Sequence, residues 1–141
     1  RRLVAAIDEQ MAPEGVLRGA GGGDGGLFAG ITARYLALAA TELPGDSSAD
    51  AAARATAGDI VLASARAAWD NRQDVDGLPL FSAFWDRIAE VPRADAEAAK
   101  FVEGTVIESA APERDLSVQV SGWMLMEAAN VVAQHQGAQP N

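Results

Sequence analysis

Apolar positions repeat at helical spacing in four stretches, which differ in how far round the helix the apolar residues reach. In residues 2–11, Leu3, Val4, Ile7 and Met11 share one side, with Asp8 and Glu9 opposite, which predicts an amphipathic helix. Pro13 ends it, because the residue before a proline disfavours the helical region. In residues 27–41, apolar side chains from Leu27 to Ala40 cover every face, and Arg34 is the only charge before Glu42. A helix apolar all round is expected to be buried on all sides. Leu43-Pro44-Gly45-Asp46 is its stop and turn. Residues 49–69 are amphipathic again, with Asp50, Arg54, Asp59 and Arg66 against Ile60, Ala63 and Ala67. Residues 117–134 return to the all-round apolar type, with Glu127 as the only charge.

The order is therefore amphipathic, apolar, amphipathic, apolar. A simple four-helix bundle would make all four amphipathic. Alternation predicts an inner set packed on both sides and an outer set facing water, as in concentric helical barrels. Two inner helices cannot be enclosed by two outer ones, so the pattern asks for more chain than these 141 residues. The start, Arg1-Arg2-Leu3, has neither Met nor a signal-like apolar stretch, which fits the expectation of a portion of a longer protein. Residues 70–116 form a long irregular region carrying Pro79, Pro92 and Pro112. Within it, residues 94–100 are expected as a short helix and residues 101–108 as a short strand or hairpin. The tail from residue 136 is expected to fray.

Composition narrows the chemistry. Ala, the best helix former, fills 31 of 141 positions. The formal charge is −9, and an acidic surface repels phosphates, which argues against a nucleic-acid partner. With no cysteine there is no disulfide framework and no thiolate metal site. The single histidine, His135, is expected on the surface of a helix end. No apolar run reaches the roughly 18 residues of a membrane span.

Several motifs invite a functional reading. Gly21-Gly22-Gly23-Asp24-Gly25-Gly26 matches G-x-G-x-x-G and opens a helix, but no strand precedes it and Asp24 would oppose a pyrophosphate. It reads either as a turn that lets backbones pack closely or as a loop lining a ligand cleft with Asp24 as acceptor. Asp70, Asp74, Asp76 and Gly77 resemble a calcium loop, yet Arg72 and Ser82 occupy positions that need acceptors, so a solvated acidic turn is expected and no metal site is assigned. No G-x-S-x-G elbow exists. Arg34 and Glu127, lone charges on apolar helices, are expected to pair with each other or with polar groups in a cleft. Phe84 and Trp85 read as core residues or as a carbohydrate platform, because sugar rings present apolar C–H faces to aromatic rings.

Two runs resemble one family. Gly26-Leu27-Phe28-Ala29-Gly30-Ile31-Thr32-Ala33-Arg34-Tyr35-Leu36 resembles the F-K-G-I-F-x-R-Y-L signature of glycoside hydrolase family 76, the endo-α-1,6-mannanases. Glu113-Arg114-Asp115-Leu116-Ser117-Val118-Gln119-Val120-Ser121-Gly122-Trp123 resembles the last inner helix of bacterial members. Trp69-Asp70-Asn71-Arg72 and Trp85 fall where the family has a helix end and a Trp-containing loop. One departure is Ala29, where the family has Lys, which leaves open a different substrate.

The resemblance implies an all-α fold, part of an (α/α)6 barrel, with residues 1–141 as its C-terminal portion. It implies retaining hydrolysis of α-mannan by an adjacent Asp-Asp pair, two carboxyl groups about 5 Å apart, one ionised and one protonated. This sequence contains no Asp-Asp, so the pair is expected in chain outside the segment and no catalytic residue is assigned. Asp24 and Phe28, at the entry to an inner helix, are substrate-binding candidates, with Asn71, Trp85 and Gln119 as further ones. The implied partners are a mannan-like polysaccharide and the remainder of the barrel, with no cofactor, and the implied location is secreted or cell-surface. The alternative is a non-catalytic helical module that binds carbohydrate or protein.

Overall fold

The computed structural model describes residues 1–138. Its helices lie close to where the periodicity places them. They are α1 (Arg2–Met11), α2 (Phe28–Glu42), α3 (Ser48–Asp70) and α4 (Leu116–Ala138). The expectation of fraying from residue 136 fails as far as Ala138, which is still helical; residues 139–141 lie outside the described residues.

Each boundary has a local cause. A 3-10 turn, Gly23–Leu27, leads into α2, and Leu43 ends α2 in extended backbone ahead of Pro44. Ser47 and Asp50 form a capping box at the start of α3: Ser47 Oγ accepts from the Asp50 amide, and Asp50 accepts from the Ser47 amide. The Ser47 hydroxyl also donates to Asp50 Oδ2 at 2.5 Å. That hydrogen bond, the Ser47 amide and the nearby guanidinium groups of Arg1 and Arg54 together hold the Asp50 carboxyl below the usual aspartate range.

α2 and α4 run parallel. Gly26 meets Ser117, Gly30 meets Ser121, and Ala40 and Val132 meet at the same glycine of α3, Gly58. α3 returns antiparallel to both after a short loop, and α1 packs on α3. Parallel neighbours covered on one side by antiparallel helices are the inner and outer layers that the alternation predicted. Glycines allow the close approach: a Cβ on Gly30 would lie 2.7 Å from Ser121, whose hydroxyl accepts from the Gly30 amide at 2.8 Å.

The core lies between the layers. Leu36, Ile60, Val61, Leu125 and Val132 fill it, and Trp85 and Phe81 close it from the loop side. The all-round burial expected of α2 and α4 does not occur within these residues. Their outer-layer side is buried, but Tyr35 and Leu38 are 68% and 54% exposed and Trp123 is 65% exposed. The reason is geometric: α3, backed by α1, and the loop at residues 81–85 cover one side of the inner pair.

The irregular region contains two antiparallel hairpins. The first pairs β1 (Gln73–Val75) with β2 (Leu78–Leu80), and the second pairs β3 (Lys100–Val102) with β4 (Thr105–Ile107). Both turn through two residues of positive φ, Asp76-Gly77 and Glu103-Gly104. The expected acidic turn is thus the tip of the first hairpin, where Asp74 accepts from the Gly77 amide. The short helix expected at residues 94–100 is absent. The Ala110 amide takes the Glu97 carbonyl, and Lys100 enters the second hairpin instead.

Candidate functional site

α2 and α4 both begin, and α3 ends, at one end of the structure. The glycine-rich turn, the second hairpin and the loop at residues 81–89 gather there. Backbone amides of that turn are held by carboxylates. Gly22 donates to Glu108 Oε2 and Gly23 to Asp115 Oδ2, each at 2.8 Å. Asp115 also accepts from Ser109, and Asp24 Oδ2 accepts from the Val106 amide of β4 at 3.0 Å. The turn is therefore clasped to the second hairpin from both sides. A glycine is required at position 23, where φ is +56° and a Cβ would lie 2.3 Å from the Val106 carbonyl.

The five candidate residues all lie at this end and divide into two groups. Asp24 is exposed beside β4, and Phe28, the first residue of α2, is 59% exposed. The other three brace the loops. Asn71 caps α3, donates to the Trp85 carbonyl at 2.9 Å and accepts from the Ala89 amide at 2.8 Å. Gln119 Oε1 accepts from the Phe81 amide, while Nε2 donates to the carbonyls of Phe81 and Glu113. The Trp85 ring is enclosed in the core, at 2% exposure, and Phe84 beside it is half-buried under the Arg87 guanidinium.

Two buried carboxylates were not singled out from the sequence. Glu113 accepts from the Ser82 hydroxyl and the Ala83 amide, and Asp115 is the hub of the clasp. The available signal was two acids flanking one arginine just ahead of an apolar helix. Exposed Trp123, one turn before Glu127, was also missed as a surface aromatic; its indole donates to Glu127 Oε1 at 3.3 Å. Its place in an all-round apolar helix hid it.

The expected Arg34–Glu127 pair is absent among the described residues, although the two side chains line the same groove between α2 and α4. Both are exposed, so neither needs a partner in these surroundings. His135 is half-buried on α4. Among the described residues, no group of three or more His, Cys, Asp or Glu is placed to hold a metal ion, and no helix is long and apolar enough to cross a membrane.

No family model and no curated protein matches the chain. Among solved structures it is similar to the GH76A alpha-1,6-mannanase from Salegentibacter sp. HEL1_6, with a TM-score of 0.59 and 28% identity. The match covers 92% of this chain and 31% of that one, so the chain spans about a third of the mannanase's length. The mannanase is an α/α barrel. The parallel α2 and α4, backed by antiparallel α3, are thus two inner helices and an outer one: the chain has the fold of part of an α/α barrel of the glycoside-hydrolase kind.

Proposed function

We propose that this chain is the C-terminal portion of a glycoside hydrolase acting on an α-1,6-linked mannan. The observation that carries the reading is the match to the mannanase barrel over 92% of the chain. The parallel inner helices and the two sequence runs that resemble family 76 agree with it. In this reading, hydrolysis is retaining, and the Asp-Asp pair lies in chain outside these residues. One carboxylate attacks the sugar carbon, while the other, kept protonated, donates to the leaving oxygen.

The substrate end is the one where α2 and α4 begin. Asp24 and Phe28 lie there, and Trp123 faces outward about two turns into α4. Phe28 and Trp123 offer aromatic faces to sugar C–H groups, and Asp24 offers a carboxylate to hydroxyls. Asn71, Trp85 and Gln119 act one step back, holding the loops that shape this end.

The test is titration of α-1,6-manno-oligosaccharides into the protein extended upstream of Arg1. Phe28→Ala and Trp123→Ala are each expected to weaken binding several-fold with the fold intact by circular dichroism. Unchanged affinity in both variants would remove this end of the helices as the sugar site. Binding of mannan without any hydrolysis would favour a carbohydrate-binding module instead.

A further inference from the structure

We propose that Phe101, on the β3–β4 hairpin, is a further aromatic platform for the substrate and takes a sugar unit beyond those at the entry to α2. The proposal rests on the mannan reading above and deepens it: the second hairpin becomes a wall that favours long glycans over short ones.

Each strand of this hairpin has three residues, and every residue from Lys100 to Glu108 is exposed. A two-stranded ribbon of this kind is marginal on its own in water. Polar ties along one edge and at the base hold it. Asp24 Oδ2 accepts from the Val106 amide at 3.0 Å, Glu108 Oε2 from the Gly22 amide, and Asp115 from the amides of Gly23 and Ser109. β4 is therefore fixed against the glycine-rich turn that leads into α2, and β3 lies on the far side of β4.

The register then places Phe101, which stands directly across from Val106. The Val106 amide points to Asp24, away from β3. The two residues are thus a non-hydrogen-bonded pair, whose side chains share one face and approach closely. Val106 gives the ring an apolar neighbour but little cover. Phe101 is 74% exposed, more than any other aromatic residue among the described ones. A ring fixed in place and left bare is suited to the C–H face of a sugar, because its support is ordered before the ligand arrives. Strands lie about 4.8 Å apart, so Phe101 is one strand farther from Asp24 than Val106 is. A glycan lying at the entry to α2 reaches it only with units beyond that entry. The exposed carboxylates of the turn and hairpin, Asp24, Glu103 and Glu108, offer acceptors to hydroxyls and repel an anionic polymer, which suits a neutral glycan.

Binding tests this without hydrolysis. The chain extended by the coding sequence upstream of Arg1 is titrated with α-1,6-mannan and with the shortest α-1,6-manno-oligosaccharide that it binds. Phe101→Ala is expected to weaken mannan binding several-fold and to leave the short sugar unchanged. Phe101→Tyr restores mannan affinity and Phe101→Leu does not, while the thermal midpoint of all three variants stays at the wild-type value. Three results would overturn the proposal: an equal effect, or none, on both sugars; full recovery by Phe101→Leu, which makes the residue mere apolar bulk; or a midpoint lowered by several degrees in Phe101→Ala, which shows the ring covered by another part of the protein. An extended chain that binds no α-1,6-mannan defeats the proposed function and this proposal together. Mannan binding that Phe101→Ala leaves intact defeats this one alone.

Discussion

Asp115 shows how a single residue shapes the candidate site. Its buried carboxylate takes the amides of Gly23 and Ser109, so it joins the glycine-rich turn to the loop after β4. Asp115→Ala leaves both amides without their acceptor in a buried place. Each orphaned group costs about 1–3 kcal/mol, and urea unfolding is expected to show a loss on that scale. A midpoint unchanged from wild type would mean water replaces the carboxylate at no cost. Gly122 sets two effects against each other. Alanine would gain about 1 kcal/mol in helix propensity, but its Cβ would lie 2.4 Å from the Phe81 ring. Phe81 is buried and its own Cβ is 2.8 Å away, so the ring has to move with its backbone. Overpacking of that kind costs about 1–3 kcal/mol, so Gly122→Ala is predicted to destabilise on balance. A stabilised variant in the same unfolding assay would contradict this.

The capping box makes the start of α3 depend on pH in a calculable direction. Ser47→Ala removes the cap and is expected to cost about 1 kcal/mol near neutral pH. The Asp50 carboxyl titrates below its ordinary value, chiefly because the Ser47 hydroxyl donates to it. Its contribution is therefore fully present above the unfolded aspartate value of about 4 and is lost as pH falls through the lowered folded one. The gap between the thermal midpoints of wild type and Ser47→Ala should accordingly begin to narrow below about pH 4 and shrink further as pH falls through the lowered folded value, leaving the part owed to Ser47 Oγ accepting from the Asp50 amide. A gap that stays constant down to acid pH would show that the ionised carboxylate adds nothing. Elements of this kind were legible in the sequence. Periodicity placed all four helices, because each buries a regular stripe, and Pro44 and Pro13 marked the stops. The turn of the β1–β2 hairpin was also written there, in Asp76-Gly77, as a solvated acidic turn, but three-residue strands are too short to show an alternating pattern on either side of it. The site was less legible. Asn71, Trp85 and Gln119 lie at the expected end of the helices, yet their bonds and packing to loop backbone depend on contacts across 14 to 38 residues of sequence, which no local pattern encodes.

At the scale of the molecule, the alternation of amphipathic and all-round apolar helices carries the most information. It says that α2 and α4 are inner helices, and the structure makes them parallel neighbours with one face covered and one bare. The bare face accounts for the exposure of Tyr35, Leu38 and Trp123 on helices whose opposite side is buried. Arg34 and Glu127 lie in a groove on that bare face, where water satisfies both charges. A third of a barrel holds a third of its loops, and the proposed activity needs carboxylates from elsewhere in the ring. The most direct measurement is the release of reducing sugar from α-1,6-mannan by the 141-residue chain and by the chain extended upstream of Arg1, side by side. The account predicts release by the extended chain and none by the 141 residues alone. Release by the short chain, or a folded extended chain inert on α-1,6-mannan, would contradict it.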